Sequence, residues 1–245
     1  MLSILIIPLL LSIFYFSFCG LGNLFSSYLP NKALINVNLY PLIAMPIIFS
    51  LVTCLHLFYK LNPLINLLLI LIGLTAYIFN FKRKDNIKIY FVVLLILTFQ
   101  FVGHDVNEDF GYYHLPYIIN FVSDKIILGL GHLSMVQGYN SAWLNLNALF
   151  FLPYFFDKSV HFLNSIIIFS ALIFYIKFLI NKKNYKKFPL SSFYAIFLIF
   201  FFIVKNSRLN SFGVDVPGHI FATLVLFLFF NFCENRDYKF RKIYF

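Results

Sequence analysis

The feature that most constrains this chain is a succession of long apolar runs, each separated from the next by a short polar segment. A helix of about 17–25 apolar residues crosses the hydrocarbon core of a bilayer, which is about 30 Å thick. A soluble core could not bury so many runs in a chain of this length. The pattern therefore predicts an all-α, polytopic membrane helix bundle with about seven spans. The predicted spans are Leu2–Phe18, Leu39–Tyr59, Pro63–Phe81, Ile87–Val102, Val160–Ile180, Leu190–Val204 and Ile220–Phe232.

Composition and charge agree with a lipid environment. Hydrophobic residues make up 61% of the 245 positions and charged residues 11%, whereas soluble domains have about 45–50% and about 25%. In a soluble protein the formal net charge of +10 would suggest nucleic-acid binding. Here the basic residues cluster between apolar runs, as they do in cytoplasmic loops. We therefore expect the lipid bilayer as a partner and no nucleic acid.

The basic clusters also predict the topology. Lys82–Lys88 and Lys182–Lys187 are both expected on the cytoplasmic side. An even number of spans must then separate them. Between them lie Ile87–Val102, Val160–Ile180 and a further apolar run, Ala142–Phe156. We therefore predict that Ala142–Phe156 does not cross the membrane and forms an interfacial or re-entrant helix.

This topology gives the chain one large extracytoplasmic loop, Gly103–Ser159, with interfacial helices. The Lys205–Gly218 turn falls on the same side. Trp143, Asn145 and Asn147 suit the headgroup region, where amphipathic side chains accumulate.

An acidic segment follows the span Ile87–Val102 directly. Asp105, Glu108 and Asp109 place three carboxylates within five residues, and such groups repel one another unless a cation or raised pKa values compensate. A solvated loop entrance is one interpretation. The other is a site in which a carboxylate acts as a general base or binds a divalent metal ion. His104 and His114 add ligand types that suit zinc, without a spacing typical of zinc sites.

The order of an acidic loop, interfacial helices and a further span resembles the first extracytoplasmic loop of GT-C fold glycosyltransferases. More closely, the loop resembles that of a family of uncharacterised bacterial multi-pass proteins with D-x-x-x-Y-H, G-L-x-N-L and F-N-S motifs. His132 replaces the usual Asn of the second motif, and Tyr139 replaces Phe in the third. The matching segments here are Asp109–Pro116, Lys125–Leu133, Gly138–Trp143 and Ser211–Pro217.

The resemblance implies roles for individual residues. Asp109 is the expected catalytic carboxylate, and Asp105 and Glu108 are the expected supporting carboxylates. If a divalent cation such as Mg²⁺ or Mn²⁺ is used, Asp109 and Asp105 are its expected ligands. The residues expected to bind substrate are Tyr113, His114, Asn140, Asp215 and Arg208.

Four of these residues have simpler interpretations. A structural hydrogen bond would account for His114. Asn140 lies where a helix N-cap is expected. Asp215 precedes a span and suits an interfacial cap, and Arg208 suits lipid headgroups through snorkelling.

Taken with these features, the resemblance implies a membrane glycosyltransferase in the bacterial cytoplasmic membrane, with an extracytoplasmic active face. It would move a sugar from a polyprenyl-phosphate-linked donor to a cell-surface glycan or lipid acceptor. The alternative is a non-catalytic membrane subunit or transporter for the assembly of envelope polysaccharide or lipid. We expect one transmembrane domain over residues 1–245, as the N-terminal part of a longer chain, because GT-C enzymes usually have more spans.

Overall fold

The computed structural model describes residues 2–28, 37–80, 87–102, 109–127, 129, 132, 142–152, 157–182, 189–205 and 215–243. These residues are helical almost throughout, and no β-strand occurs among them. The α-helices are α1 (Leu2–Ser26), α2 (Tyr40–His56), α3 (Pro63–Asn80), α4 (Ile87–Val102), α5 (Leu115–Ser123), α6 (Ala142–Leu149), α7 (Phe162–Lys182), α8 (Leu190–Lys205) and α9 (Val216–Ile243). The predicted all-α class is confirmed.

In the described part of the chain, four apolar helical segments are long enough to cross a membrane, which supports the prediction of a membrane protein. They are Leu5–Ser26, Pro63–Asn80, Ser159–Asn181 and Val216–Glu234. Shorter apolar helices cover Tyr40–His56, Lys88–Phe101 and Leu190–Val204. Each predicted span corresponds to one of these helices. The boundaries differ mainly in α1, which continues past Phe18 to Ser26, and in α9, which begins before Ile220 and continues past Phe232.

Helix α7 lies at the centre of the fold. Its residues from Phe162 to Tyr175 are buried, and it contacts α1, α4, α8 and α9. Aromatic rings fill these contacts: Tyr15 of α1 meets Phe169 edge-on at 4.5 Å, and Phe227 of α9 meets Tyr175 at 5.1 Å. Edge-to-face pairs of this kind add about 0.5–1.5 kcal/mol each beyond their buried area. The buried Phe side chains thus contribute to packing at this centre.

Small residues bring α1 and α3 into backbone contact. A Cβ atom on Gly20 would overlap the carbonyl oxygen of Gly73 and lie 2.6 Å from the backbone nitrogen of Tyr77. The hydroxyl of Ser17 donates to the carbonyl oxygen of Ile70 at 3.2 Å. Small residues allow this close approach in membrane bundles, where packing replaces the hydrophobic effect between helices. The two helices run parallel, because residue numbers rise together along the contact.

Helix α6 lies within the run Ala142–Phe156 that was predicted not to cross the bilayer. Its eight residues extend about 12 Å, far short of the roughly 30 Å needed to cross. Asn145 and Asn147, expected at headgroup level, are 1% and 0% exposed. The reason is tertiary: α6 packs against α2 and α5, so protein rather than headgroups surrounds its polar residues.

Several helix ends that flank the polar segments of the sequence lie at one end of the bundle. The Gln100 side chain, near the end of α4, donates to the Ile203 carbonyl near the end of α8 at 2.9 Å. His56, at the end of α2, contacts the Asp124 carbonyl oxygen through Nε2 at 3.1 Å, just past the end of α5. The C-terminal ends of α4 and α8 therefore lie at the same end of the bundle. We call this the polar end.

The opposite end holds two further interhelical contacts. The Lys177 ammonium, near the end of α7, donates to Asn38 Oδ1 at 2.9 Å. Glu234 of α9 accepts from the backbone N–H and the hydroxyl of Ser191 at the start of α8, at 2.9 and 2.5 Å. These contacts join α7 to the turn before α2, and α8 to α9.

Candidate functional site

The segment that carries the D-x-x-x-Y-H motif forms a π-helical turn over Phe110–His114. Its wider winding is shown by the Leu115 N–H, which donates to the carbonyl oxygen of Phe110, five residues back. In an α-helix, Asp109 and His114 would point about 140° apart, because each turn takes 3.6 residues. A π turn brings positions five apart towards one side, and π turns occur frequently at functional sites. The motif spacing therefore suits this local structure.

His114 is the buried member of this segment. Its side chain is 2% exposed, and its ring lies 4.2 Å from that of Tyr113. Burial lowers the pKa of His114 below its ordinary value, while the carboxylates of Asp109 and Asp215 act through space in the opposite direction. Desolvation is the larger effect, so the neutral imidazole is favoured at this position.

Asp215 joins this group from a distant part of the sequence. It precedes α9, where its carbonyl oxygen accepts the backbone N–H of His219 at 3.1 Å. Asp109 and Asp215 are both exposed, so their carboxylates are accessible from outside the protein. The structure thus brings together three predicted site residues, Asp109, His114 and Asp215. Tyr113 is the fourth predicted site residue that the structure describes. It lies beside these three residues and is partly exposed.

A second buried histidine, His161, lies next to this group and was not predicted. It ends the 3₁₀ turn Asp157–His161 that leads into α7, and its side chain is 3% exposed. Its ring is 5.2 Å from that of Phe110 and 6.3 Å from that of Phe101. A single histidine beside an apolar run has no spacing that distinguishes it, so the sequence offered no signal for this contact.

Polar side chains also connect α6 with α7 inside the fold. The Trp143 indole N–H donates to Asn164 Oδ1 at 3.0 Å. The Asn147 amide donates to the Trp143 carbonyl at 2.7 Å. The carbonyl oxygens of the Asn145 and Asn147 side chains are buried without a hydrogen-bond partner in the described part of the chain. This network positions α6 near the first turn of α7.

Several predicted site residues lie outside the described residues. These are Asp105, Glu108, Asn140 and Arg208. Within the described ranges, no group of three or more His, Cys, Asp or Glu side chains is arranged to hold a metal ion. The predicted metal role of Asp109 and Asp105 stays a prediction.

The candidate site lies inside a family match that covers the whole chain. A family model described as a domain of unknown function, DUF8201, matches residues 1–245. The chain belongs to the DUF8201 family. No curated protein and no solved structure matches it. The match includes both Asp109 and Asp215, so the two residues belong to one DUF8201 domain.

Proposed function

We propose that this DUF8201 protein is a membrane glycosyltransferase with a GT-C-like arrangement. It moves a sugar from a polyprenyl-phosphate-linked donor to a cell-surface glycan or lipid acceptor. The observation that carries the proposal is the convergence of Asp109, His114 and Asp215, which come from segments about one hundred residues apart in the sequence. Two exposed carboxylates that influence one buried imidazole, at one end of an apolar bundle, suit chemistry at a membrane surface.

The proposed topology has seven spans, with the polar end on the extracytoplasmic side. The contact between Gln100 and Ile203 supports it, because it places the C-terminal ends of α4 and α8 side by side. The contact between Lys177 and Asn38 supports it as well, since it places the turn Val37–Leu39 near the end of α7, where the basic Lys182–Lys187 segment begins. Cytoplasmic loops carry an excess of such basic residues.

The proposed reaction uses the exposed carboxylate of Asp109 as a general base. The acceptor hydroxyl oxygen attacks the anomeric carbon of the donor sugar, and Asp109 takes the hydroxyl proton. The bond between the anomeric carbon and the phosphate oxygen breaks, and polyprenyl phosphate leaves with the electron pair. His114, kept neutral by burial, supports Asp109 without adding a charge that would compete for it. Asp215 orients the acceptor.

A divalent cation fits this site only in part. Mg²⁺ commonly uses one or two protein carboxylates and completes its coordination with water and substrate phosphate. Asp109 and Asp215 are the described carboxylates available for this, and a cation there would neutralise the leaving phosphate. The roles of Asp109 as base and of His114 as its support do not depend on the cation.

The experiment that tests the proposal is the substitution Asp109→Asn, which keeps the size of the side chain and removes its basicity. Loss of a general base lowers the rate about 10²–10⁴-fold. Asp105→Asn and Glu108→Gln should have milder effects. The matched control is Asp124→Asn, which neutralises an exposed carboxylate that follows α5, away from the π turn.

Each variant is expressed in the native host, brought to equal membrane levels, and compared for surface glycans and for sugar transfer in isolated membranes. Unchanged transfer with Asp109→Asn would contradict the enzymatic role. The non-catalytic assembly subunit would then be the better assignment. A transporter is less favoured, because it usually places ionisable groups near the membrane midplane. In the described helices, Lys88, Lys177 and Glu234 instead lie close to the ends of apolar segments.

A further inference from the structure

His161 and Phe110 connect the candidate site to the centre of the bundle. The imidazole of His161 lies against Phe110 at 5.2 Å, with an angle of 37° between the rings. On another side it meets Phe101 of α4 at 6.3 Å and 77°. Phe101 in turn stacks on Phe162, the first residue of α7, at 5.0 Å and 15°. The rings thus form a continuous series from α7 through α4 to the π turn.

Phe110 is the residue through which this series acts on the site. It directly follows Asp109, and its carbonyl oxygen closes the π turn by accepting the Leu115 N–H. π-helical turns are rare and are usually found as single turns within helices, so tertiary contacts must hold this one in place. A shift of Phe110 would move Asp109 and thereby change the position of Asp109 relative to His114.

We propose that His161 is a positioning residue, whose ring packs on Phe110 and thereby fixes the π turn and the place of Asp109 relative to His114. Its action on the transfer reaction rests on the proposed function, whereas its action on the π turn does not. A full aromatic ring is what the contact requires. Phe should therefore replace His161 adequately, and Ala should not.

Hydrogen–deuterium exchange on the purified full chain in detergent micelles measures the effect on the turn. With His161→Ala, the amides of residues 109–115 should exchange about tenfold faster, because the open state of the turn gains population when an aromatic contact is lost. With His161→Phe, exchange there should stay within about twofold of the natural protein. His132→Ala, at an exposed histidine, is the matched control and should leave residues 109–115 unchanged.

Three results would overturn the positioning role. The first is unchanged exchange at residues 109–115 in His161→Ala. The second is an equal increase in α3 and α9, which would mean a general loss of stability. The third is an increase in His161→Phe as large as that in His161→Ala. If His161→Ala does not accumulate, Phe110→Leu removes the same ring contact from the other side, and the same outcomes apply to it.

Sugar transfer in isolated membranes separates this inference from the proposed function. If Asp109→Asn abolishes transfer, His161→Ala should lower kcat about tenfold with little change in KM, and His161→Phe should restore it. A change confined to KM would overturn the link between His161 and Asp109. If Asp109→Asn leaves transfer unchanged, the proposed function fails, and the exchange measurement still decides whether His161 holds the turn.

Discussion

The contact between Ser191 and Glu234 gives a sharp test of how α8 and α9 are held together. Both residues lie at the end of the bundle opposite the polar end. Glu234 accepts the backbone N–H of Ser191 through Oε1 at 2.9 Å and its hydroxyl through Oε2 at 2.5 Å. The carboxylate therefore acts as an N-cap for α8 that is supplied by a neighbouring helix. Such a group also interacts favourably with the positive end of the helix dipole.

The substitution Ser191→Ala removes the hydroxyl bond and keeps the backbone bond. Hydrogen bonds to charged groups contribute about 1.5–3 kcal/mol in soluble proteins. Hydrogen bonds between helices in a bilayer contribute about 0.6 kcal/mol on average, with a maximum near 1.7 kcal/mol. Ser191 is fully buried and its partner is charged. We therefore expect Ser191→Ala to lower the free energy of unfolding by about 1.5 kcal/mol, where the soluble-protein and bilayer ranges overlap.

Ser192 provides a matched control in the next position. It is 1% exposed, and its hydroxyl has no hydrogen-bond partner in the described part of the chain. Removing a buried polar group of this kind is close to neutral or stabilising, so Ser192→Ala should change the free energy of unfolding by less than about 0.5 kcal/mol.

Reversible unfolding by SDS titration in mixed micelles measures the free energy of unfolding of the single variants and of the double variant Ser191→Ala, Glu234→Ala. The double-mutant cycle isolates the pair energy. Equal losses in Ser191→Ala and Ser192→Ala, or a coupling energy near zero, would refute the interhelical cap. The natural protein and Ser192→Ala should remain within error of each other.

Two further predictions concern the polar end. In a protein whose native cysteines are replaced, a new cysteine at Tyr112 or His219, both exposed, should react with a membrane-impermeant thiol reagent added to intact cells. A cysteine at Lys88 should not react. The reverse labelling would contradict the topology. Burial holds the pKa of His114 below its ordinary value. Below about pH 6.5 the unfolded chain therefore binds a proton that the folded chain does not, and the free energy of unfolding should decrease as the pH falls. Thermal unfolding in detergent from about pH 8 to pH 5 should show a weaker pH dependence in His114→Gln; an unchanged slope would contradict the assignment.

Much of the fold was predictable from the sequence, for a simple physical reason. A bilayer requires helices of nearly constant length and apolar composition, so α1 to α4 and α7 to α9 are visible as apolar runs. The same reasoning predicted that Ala142–Phe156 does not cross, since the Lys-rich clusters on either side require an even number of spans. The segments that hold Asp109, His114 and Asp215 were conspicuous because polar residues are scarce in this chain, and the family resemblance singled out the individual residues as candidates.

Only the tertiary structure decided which of these residues meet, and how. The π turn that brings Asp109 towards His114 depends on hydrogen bonds five residues apart, for which the sequence has no distinct signature. The location of Asn145 and Asn147 inside the protein depends on the packing of α6 against α2 and α5, which hydropathy does not report. The contact of His161 with Phe110 joins residues about fifty positions apart. Local composition determines where a helix can form in lipid, but contacts between distant segments determine where its polar side chains end up.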